Sequence, residues 1–138
     1  MSDVFIAYKR EDRAHIDRLR QAFAELRIPT WFDGYLDLEL DWRPQVVRQI
    51  GACKALIVCW SQAACASTYV AEEAELGWRR GVLVPVRLEP CLIKSPFSDL
   101  EACDLSRWSG AHVAPEFQLL LNRVTPLLQR AERSVAVA

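Results

Sequence analysis

A carboxylate one helical turn from an aromatic ring is a pairing that can do chemistry, and residues 67–80, STYVAEEAELGWRR, contain one. At about 100° per residue, Val70, Ala74, Gly77 and Gly81 fall on one narrow face with Trp78 at its margin. That is the face a packed helix buries. Of the three glutamates, Glu72 points nearly opposite, to water. Glu75 stands one turn before Arg79, the acid-then-base order that stabilises an exposed helix by about 0.2–0.5 kcal/mol. Glu73 borders the apolar face one turn after Tyr69, so ring and carboxylate project side by side near the helix start. Two readings of Glu73 stand at this point. It is a functional carboxylate, or it is a boundary acid paired with a base, which spacing alone favours because structural ion pairs perturb carboxylates too.

The elements that would position this pair follow from periodicity. Short runs rich in Val, Ile, Leu and aromatics alternate with longer amphipathic stretches, the pattern of a parallel sheet covered by helices. Strands are predicted at Val4 to Tyr8, Thr30 to Phe32, Ala55 to Trp60 and Val82 to Leu88, with a weaker one at Cys103 to Leu105. Asp12 to Leu26 places Ile16, Leu19, Phe23 and Leu26 at helical spacing, and Pro29 stops it. Pro44 to Cys53 opens with proline in the first turn, where the missing N–H costs nothing, and carries Val46, Val47 and Ile50. The helix of the opening stretch starts at Ser67 or Thr68 as N-cap and ends near Gly81. A last helix runs from about Pro115 to Arg130 with Phe117, Leu120, Leu121, Val124 and Leu128 buried, and Pro126 is a place for it to bend. Glu89 to Glu101, with its prolines and serines, is a surface loop with room for a short helix.

In open parallel sheets, ligands bind outside the carboxyl ends of the strands. That rule selects Tyr8, Lys9 and Arg10 after the first strand, Asp33 and Gly34 after the second, Ser61 after the third, and the first turn of the third helix with Tyr69 and Glu73. Taken singly, each has an ordinary explanation: Lys9 and Arg10 as a solvated loop, Tyr8 and Trp42 as core or interface aromatics. Together they put two cations, aromatics and a boundary carboxylate around one crevice.

Composition narrows the classes of function. The 138 residues make one domain, and 51% hydrophobic residues supply a core. Seventeen basic against eighteen acidic side chains leave a net charge of -1, so no global field draws the chain to nucleic acid or an anionic membrane. Cys53, Cys59, Cys65, Cys91 and Cys103 lack a Cys-x-x-Cys pair and read as reduced core residues of an intracellular protein. His15 and His112 are isolated, so no metal is expected. The N-terminus is too short in apolar residues for a signal peptide, and no stretch approaches the roughly 20 apolar residues of a membrane span. A cytoplasmic location follows. A phospho-receiver domain needs a phosphorylatable Asp after the third strand, where this chain has Cys59, Trp60 and Ser61. A dinucleotide fold or a P-loop needs a glycine-rich turn after the first strand, and AYKRED has none. A serine hydrolase needs a Gly-x-Ser-x-Gly elbow and a plausible histidine, both absent.

The blocks DVFIAYKRED, TWFD, WRPQVVRQIGACKALIVCWS, STYVAEE and DLSRWSG, in that order across nearly the whole chain, resemble those of a bacterial TIR (Toll/interleukin-1 receptor) domain. The resemblance implies a three-layer flavodoxin-like α/β fold, a five-stranded parallel sheet flanked by helices, over residues 1–131; the tail 132–138, small, weakly patterned and uncapped, reads as a linker or an appended end. It also implies a site. In TIR domains that cleave NAD+, a glutamate lies four residues after an aromatic, usually Trp, at the start of the third helix; Tyr69 takes the aromatic place and Glu73 that of the catalytic acid. Ala7, Tyr8, Lys9 and Arg10 match a Ser-Tyr-basic block that faces the nucleotide phosphates, with Ala for Ser. Asp33 matches an acid after the second strand, and Trp42 and Ser67 join the substrate-binding set. The loop before Trp42 carries Glu39 where the family usually has glycine, and Asp37, Glu39 and Asp41 make it acidic.

What the resemblance implies for function is an NAD+ nucleosidase that releases nicotinamide and leaves ADP-ribose or a cyclic isomer. NAD+ is substrate, with no other cofactor, and the module serves as the effector of a bacterial defence or toxin-like system. Self-association through TIR–TIR contacts, triggered by a fused sensor domain or partner, completes such sites. The alternative is a TIR scaffold that signals by homotypic contacts and performs no chemistry.

Overall fold

The computed structural model of the chain describes residues 3–32 and 43–137. Its elements run β1 (Val4–Ala7), a 3-10 turn (Arg10–Asp12), α1 (Arg13–Glu25), β2 (Thr30–Trp31), α2 (Arg43–Ala52), β3 (Ala55–Trp60), α3 (Gln62–Cys65), α4 (Thr68–Arg80), β4 (Leu83–Arg87), a second 3-10 turn (Phe97–Asp99), β5 (Cys103–Asp104) and α5 (Pro115–Val137). All five predicted strands are present and each pairs in parallel, in the order β2-β1-β3-β4-β5. Every residue of β1 and β3 is buried, as expected of strands covered on both faces.

Alternation along the strands sorts the core into two layers. Val4, Ile6 and Tyr8 of the first strand and its exit face Ile16, Leu19 and Phe23 of α1 and Phe117, Leu120 and Val124 of α5. Phe23 meets Phe117 edge to face at 5.1 Å, and Trp108 stacks on Phe117 at 5.3 Å. On the other side, Phe5, Ala7, Leu56 and Val58 pack against Val46 and Ile50 of α2 and Val70 and Ala74 of α4. Val47, expected with them, is 44% exposed.

Local chemistry accounts for the helix ends. The Ser67 hydroxyl accepts from the Val70 N–H at 3.3 Å, the N-cap bond expected there. At the far end Gly81 adopts φ 72°, and the Gly81 and Val82 N–H groups close on the Trp78 and Gly77 carbonyls, both at 3.1 Å. That left-handed turn favours glycine. The Arg80 guanidinium donates to the carbonyls of Ile50 and Cys53, at 2.6 and 3.0 Å, tying the end of α4 to the end of α2. Two features differ from the sequence reading. The last helix runs on through Pro126 to Val137, past Arg130, and the four-residue α3, capped by Ser61, precedes α4.

Candidate functional site

Strand order locates the crevice. From β1 the chain goes to β2 on one side and then crosses to β3 on the other. The carboxyl ends of β1 and β3 therefore flank the switch point where open α/β sheets hold ligands.

What leaves β1 there is a tight turn. Lys9 is half-buried and its carbonyl accepts from the Asp12 N–H at 2.8 Å, while Arg10 is exposed. The two cations share the turn with Glu11 and Asp12, so the rim is of mixed charge. The Ser61 hydroxyl, fully buried at the end of β3, donates to Asp12 Oδ2 at 2.5 Å and accepts from the Ala64 N–H at 3.1 Å. One side chain thus caps α3 and fastens the β1 turn across the switch point. Glu89, just past β4, accepts from the Gln62 N–H at 3.1 Å. Burial pushes the Asp12 carboxyl above the usual carboxylate range, against the lowering by the Ser61 hydrogen bond, and the charges of Glu89 and Glu11 add to the rise.

Helix α4 starts on the same rim, because it follows β3 and returns antiparallel to it. The three glutamates separate as the helical wheel required. Glu72 is exposed, and Glu75 pairs with Arg79 at 2.9 Å. Glu73 is only 6% exposed, one of two polar residues among the buried described residues, the other being Ser61. It lies between Val70 and Gly77 on the buried side of the helix, one turn below Tyr69, which is 52% exposed. The backbone of α4 comes unusually close to the sheet at Gly77: a Cβ there would lie 2.3 Å from Leu56 Cδ2. This approach brings the buried face of α4, which Glu73 shares with Val70, Ala74 and Gly77, close to the sheet.

The structure therefore brings Ser67, Tyr69 and Glu73 together on one helix, with Lys9 and Arg10 on the turn leaving the neighbouring strand. Tyr8 it places elsewhere. Its ring lies in the α1–α5 layer, 6.0 Å from that of Phe32. One residue of further extension along β1 turned it to the face opposite α4. Asp33, Trp42 and the acidic loop of 34–42 lie outside the described residues. Asp12 and Ser61 form the contact that sequence reasoning missed as a pair. Ser61 stood out by its place after the third strand, but nothing local joins it to Asp12.

No curated protein sequence matches the chain. Among solved structures, the TIR domain of the Toll-related receptor TRR-2 from Hydra magnipapillata superposes with a TM-score of 0.76 at 21% identity, over 89% of this chain and 97% of that one. The TIR domains of the activated Roq1 resistosome, which directly recognizes the pathogen effector XopQ, give a TM-score of 0.60 at 16% identity, over 98% of this chain and 99% of that one. At such identities the likeness is one of fold. No helix among the described residues is long and apolar enough to cross a membrane. A family model for the TIR domain matches residues 4–121, from the first residue of β1 into α5, and the chain belongs to the TIR domain family.

Proposed function

We propose that this TIR domain is an NAD+ nucleosidase: it cleaves the nicotinamide–ribose bond and releases nicotinamide, leaving ADP-ribose or a cyclic isomer. The observation that carries the reading is Glu73, a carboxylate 6% exposed and one helical turn from the half-exposed ring of Tyr69, at the switch-point rim of the sheet.

Cleavage of this glycosidic bond passes through an oxocarbenium-like state. A carboxylate beside the ribose holds its hydroxyls and stabilises the positive charge as it develops, and it does so most strongly where water is excluded. The Tyr69 ring offers a face to the cationic nicotinamide. Lys9 and Arg10 offset the pyrophosphate charge, with Ser67, Asp33 and Trp42 completing the contacts. Nicotinamide leaves as a neutral base, so one carboxylate suffices and no general acid is required. With water as acceptor, NAD+ and water give nicotinamide, ADP-ribose and a proton; with an adenine nitrogen as acceptor, a cyclic isomer forms instead.

Activation by self-association, in an effector of bacterial defence or a toxin-like system, belongs to the same proposal. Its support is the likeness to TIR domains of an activated assembly, the Roq1 resistosome. The test is nicotinamide release from NAD+ by protein clustered on a surface, beside Glu73→Gln. We expect release from the clustered wild type and a loss of about a hundred- to a thousand-fold in the variant. No release from clustered wild type would return the reading to a non-catalytic scaffold. Equal release by Glu73→Gln would move the chemistry to another group.

A further inference from the structure

Two thiols stand together at the rim of the sheet on segments that the hydrogen bonding has already joined. Cys65 ends α3, and Cys91 follows β4 by four residues. Both are half-buried and free, whereas Cys53, Cys59 and Cys103 are buried. Cys65 and Cys91 both pack on the α2–α4 layer of the core, near enough for Cys91 to act on the Cys65 thiol. Gln62, one turn before Cys65, donates its N–H to Glu89 Oε1 at 3.1 Å and its side-chain amide to the Pro90 carbonyl at 3.5 Å. Pro90 is the neighbour of Cys91. These two bonds tie the segment of Cys91 to the start of α3, which favours the approach to within about 7 Å between Cα atoms that a disulfide needs.

We propose that Cys65 and Cys91 are a reversible dithiol–disulfide site, a redox-sensitive clasp between α3 and the segment that leaves β4. The oxidant is a peroxide. Burial first, then its neighbour Cys91, pushes the Cys65 thiol up; the two thiols titrate as a pair, and the same disulfide forms whichever sulfur attacks first, so with Cys91 attacking, Cys65 is the resolving sulfur. The Cys91 sulfur attacks a peroxide oxygen, the O–O bond breaks, and a sulfenic acid and water form with hydrogen peroxide as oxidant. The Cys65 sulfur then attacks the sulfenic sulfur. The S–S bond forms, the S–O bond breaks, and the departing oxygen leaves as water with the Cys65 proton. Two thiols are oxidised, and one hydrogen peroxide is reduced to two waters. Arg87 and Lys94 bring positive charge to Cys65, which favours the developing thiolate.

Its effect falls on the rim. Helix α3 leads through the Ser67 cap into α4, which carries Tyr69 and Glu73, so the disulfide would staple the entry of α4 to the exit of β4. The inference does not depend on the proposed reaction.

Peptide mapping of the full wild-type chain tests it. After hydrogen peroxide treatment and alkylation of the remaining thiols, we expect a peptide pair linked through Cys65 and Cys91, an intact mass lower by two hydrogens, and release of the link by dithiothreitol. Cys65→Ser and Cys91→Ser would each lose the linked pair. Recovery of Cys65 and Cys91 alkylated separately, as sulfinic or sulfonic acids, or linked to another cysteine or a second chain would overturn the proposal. The wild-type map decides it even if a variant fails to fold.

Discussion

Replacing Gly77 by alanine puts the seating of α4 to a quantitative test. The new Cβ would stand 2.3 Å from Leu56 Cδ2, 3.1 Å from Leu56 Cβ and 3.2 Å from Leu56 Cγ. Carbon atoms meet at about 3.5–4.0 Å, so the first contact is roughly 1.2 Å too short. Rotating the Leu56 side chain can move Cδ2, but Leu56 is fully buried, and its Cβ is fixed to a strand paired on both sides. Helix α4 must therefore lift. Overpacking of this kind costs about 1–3 kcal/mol, while alanine in place of glycine in a helix returns about 0.5–1 kcal/mol. The expected net loss is about 1 kcal/mol. Gly51→Ala supplies the control, because Gly51 is helical and exposed and a Cβ there meets nothing within 4 Å. It carries the propensity gain without the clash and should stabilise by about 0.5–1 kcal/mol. Urea unfolding followed by circular dichroism yields both values, and their difference of about 1–3 kcal/mol isolates the contact. Thermal melts would separate the two variants by roughly 4 °C per kcal/mol. If Gly77→Ala is as stabilising as Gly51→Ala, the close approach of α4 to β3 is wrong. If the approach is right, Gly77→Ala also lowers nicotinamide release, since it moves the helix one turn from Glu73.

Other perturbations read other contacts. Arg80→Ala removes the donor that serves the Ile50 and Cys53 carbonyls and should cost about 1–2 kcal/mol in urea unfolding; an unchanged midpoint would mean that water replaces those bonds without loss. Asp12 titrates higher folded than unfolded. The folded state then binds more protons than the unfolded one between the ordinary Asp pKa and the raised value, so this group makes stability fall as pH rises through that window. Asp12→Asn, which still accepts from Ser61, should remove that fall, and a pH profile of unfolding identical to wild type would contradict it. Ser61→Ala leaves the Asp12 carboxyl without its donor and the Ala64 N–H without its cap. A loss of about 1–3 kcal/mol is expected, and in the clustered NAD+ assay it should reduce turnover more than Glu72→Gln, a change on the exposed side of α4.

Much of the fold was legible because its signals are local. The all-apolar β3 and the helical spacing of Ile16, Leu19 and Phe23 each report burial within a few residues, and each is buried as read. Ser67 and Gly81 marked both ends of α4 because a cap needs a particular side chain or a particular φ at one position. Short elements were harder. The four residues of α3 complete barely one turn, too few for any periodicity to show.

The sequence by itself determined the strand and helix order, the burial side of α4 and the division of labour among its three glutamates, since a helix of known phase directs every side chain it carries. It did not determine which face of the sheet receives a residue just beyond a strand. Tyr8 joined the crevice on the sequence reading, yet the alternation of β1 carries it into the α1–α5 layer. Nor did it determine the contacts between segments far apart in the chain: Ser61 with Asp12, 49 residues away, Cys65 beside Cys91, or the backbone approach that Gly77 permits to Leu56. Those depend on strand order and on the distance at which helices settle over the sheet, quantities set when the two core layers pack.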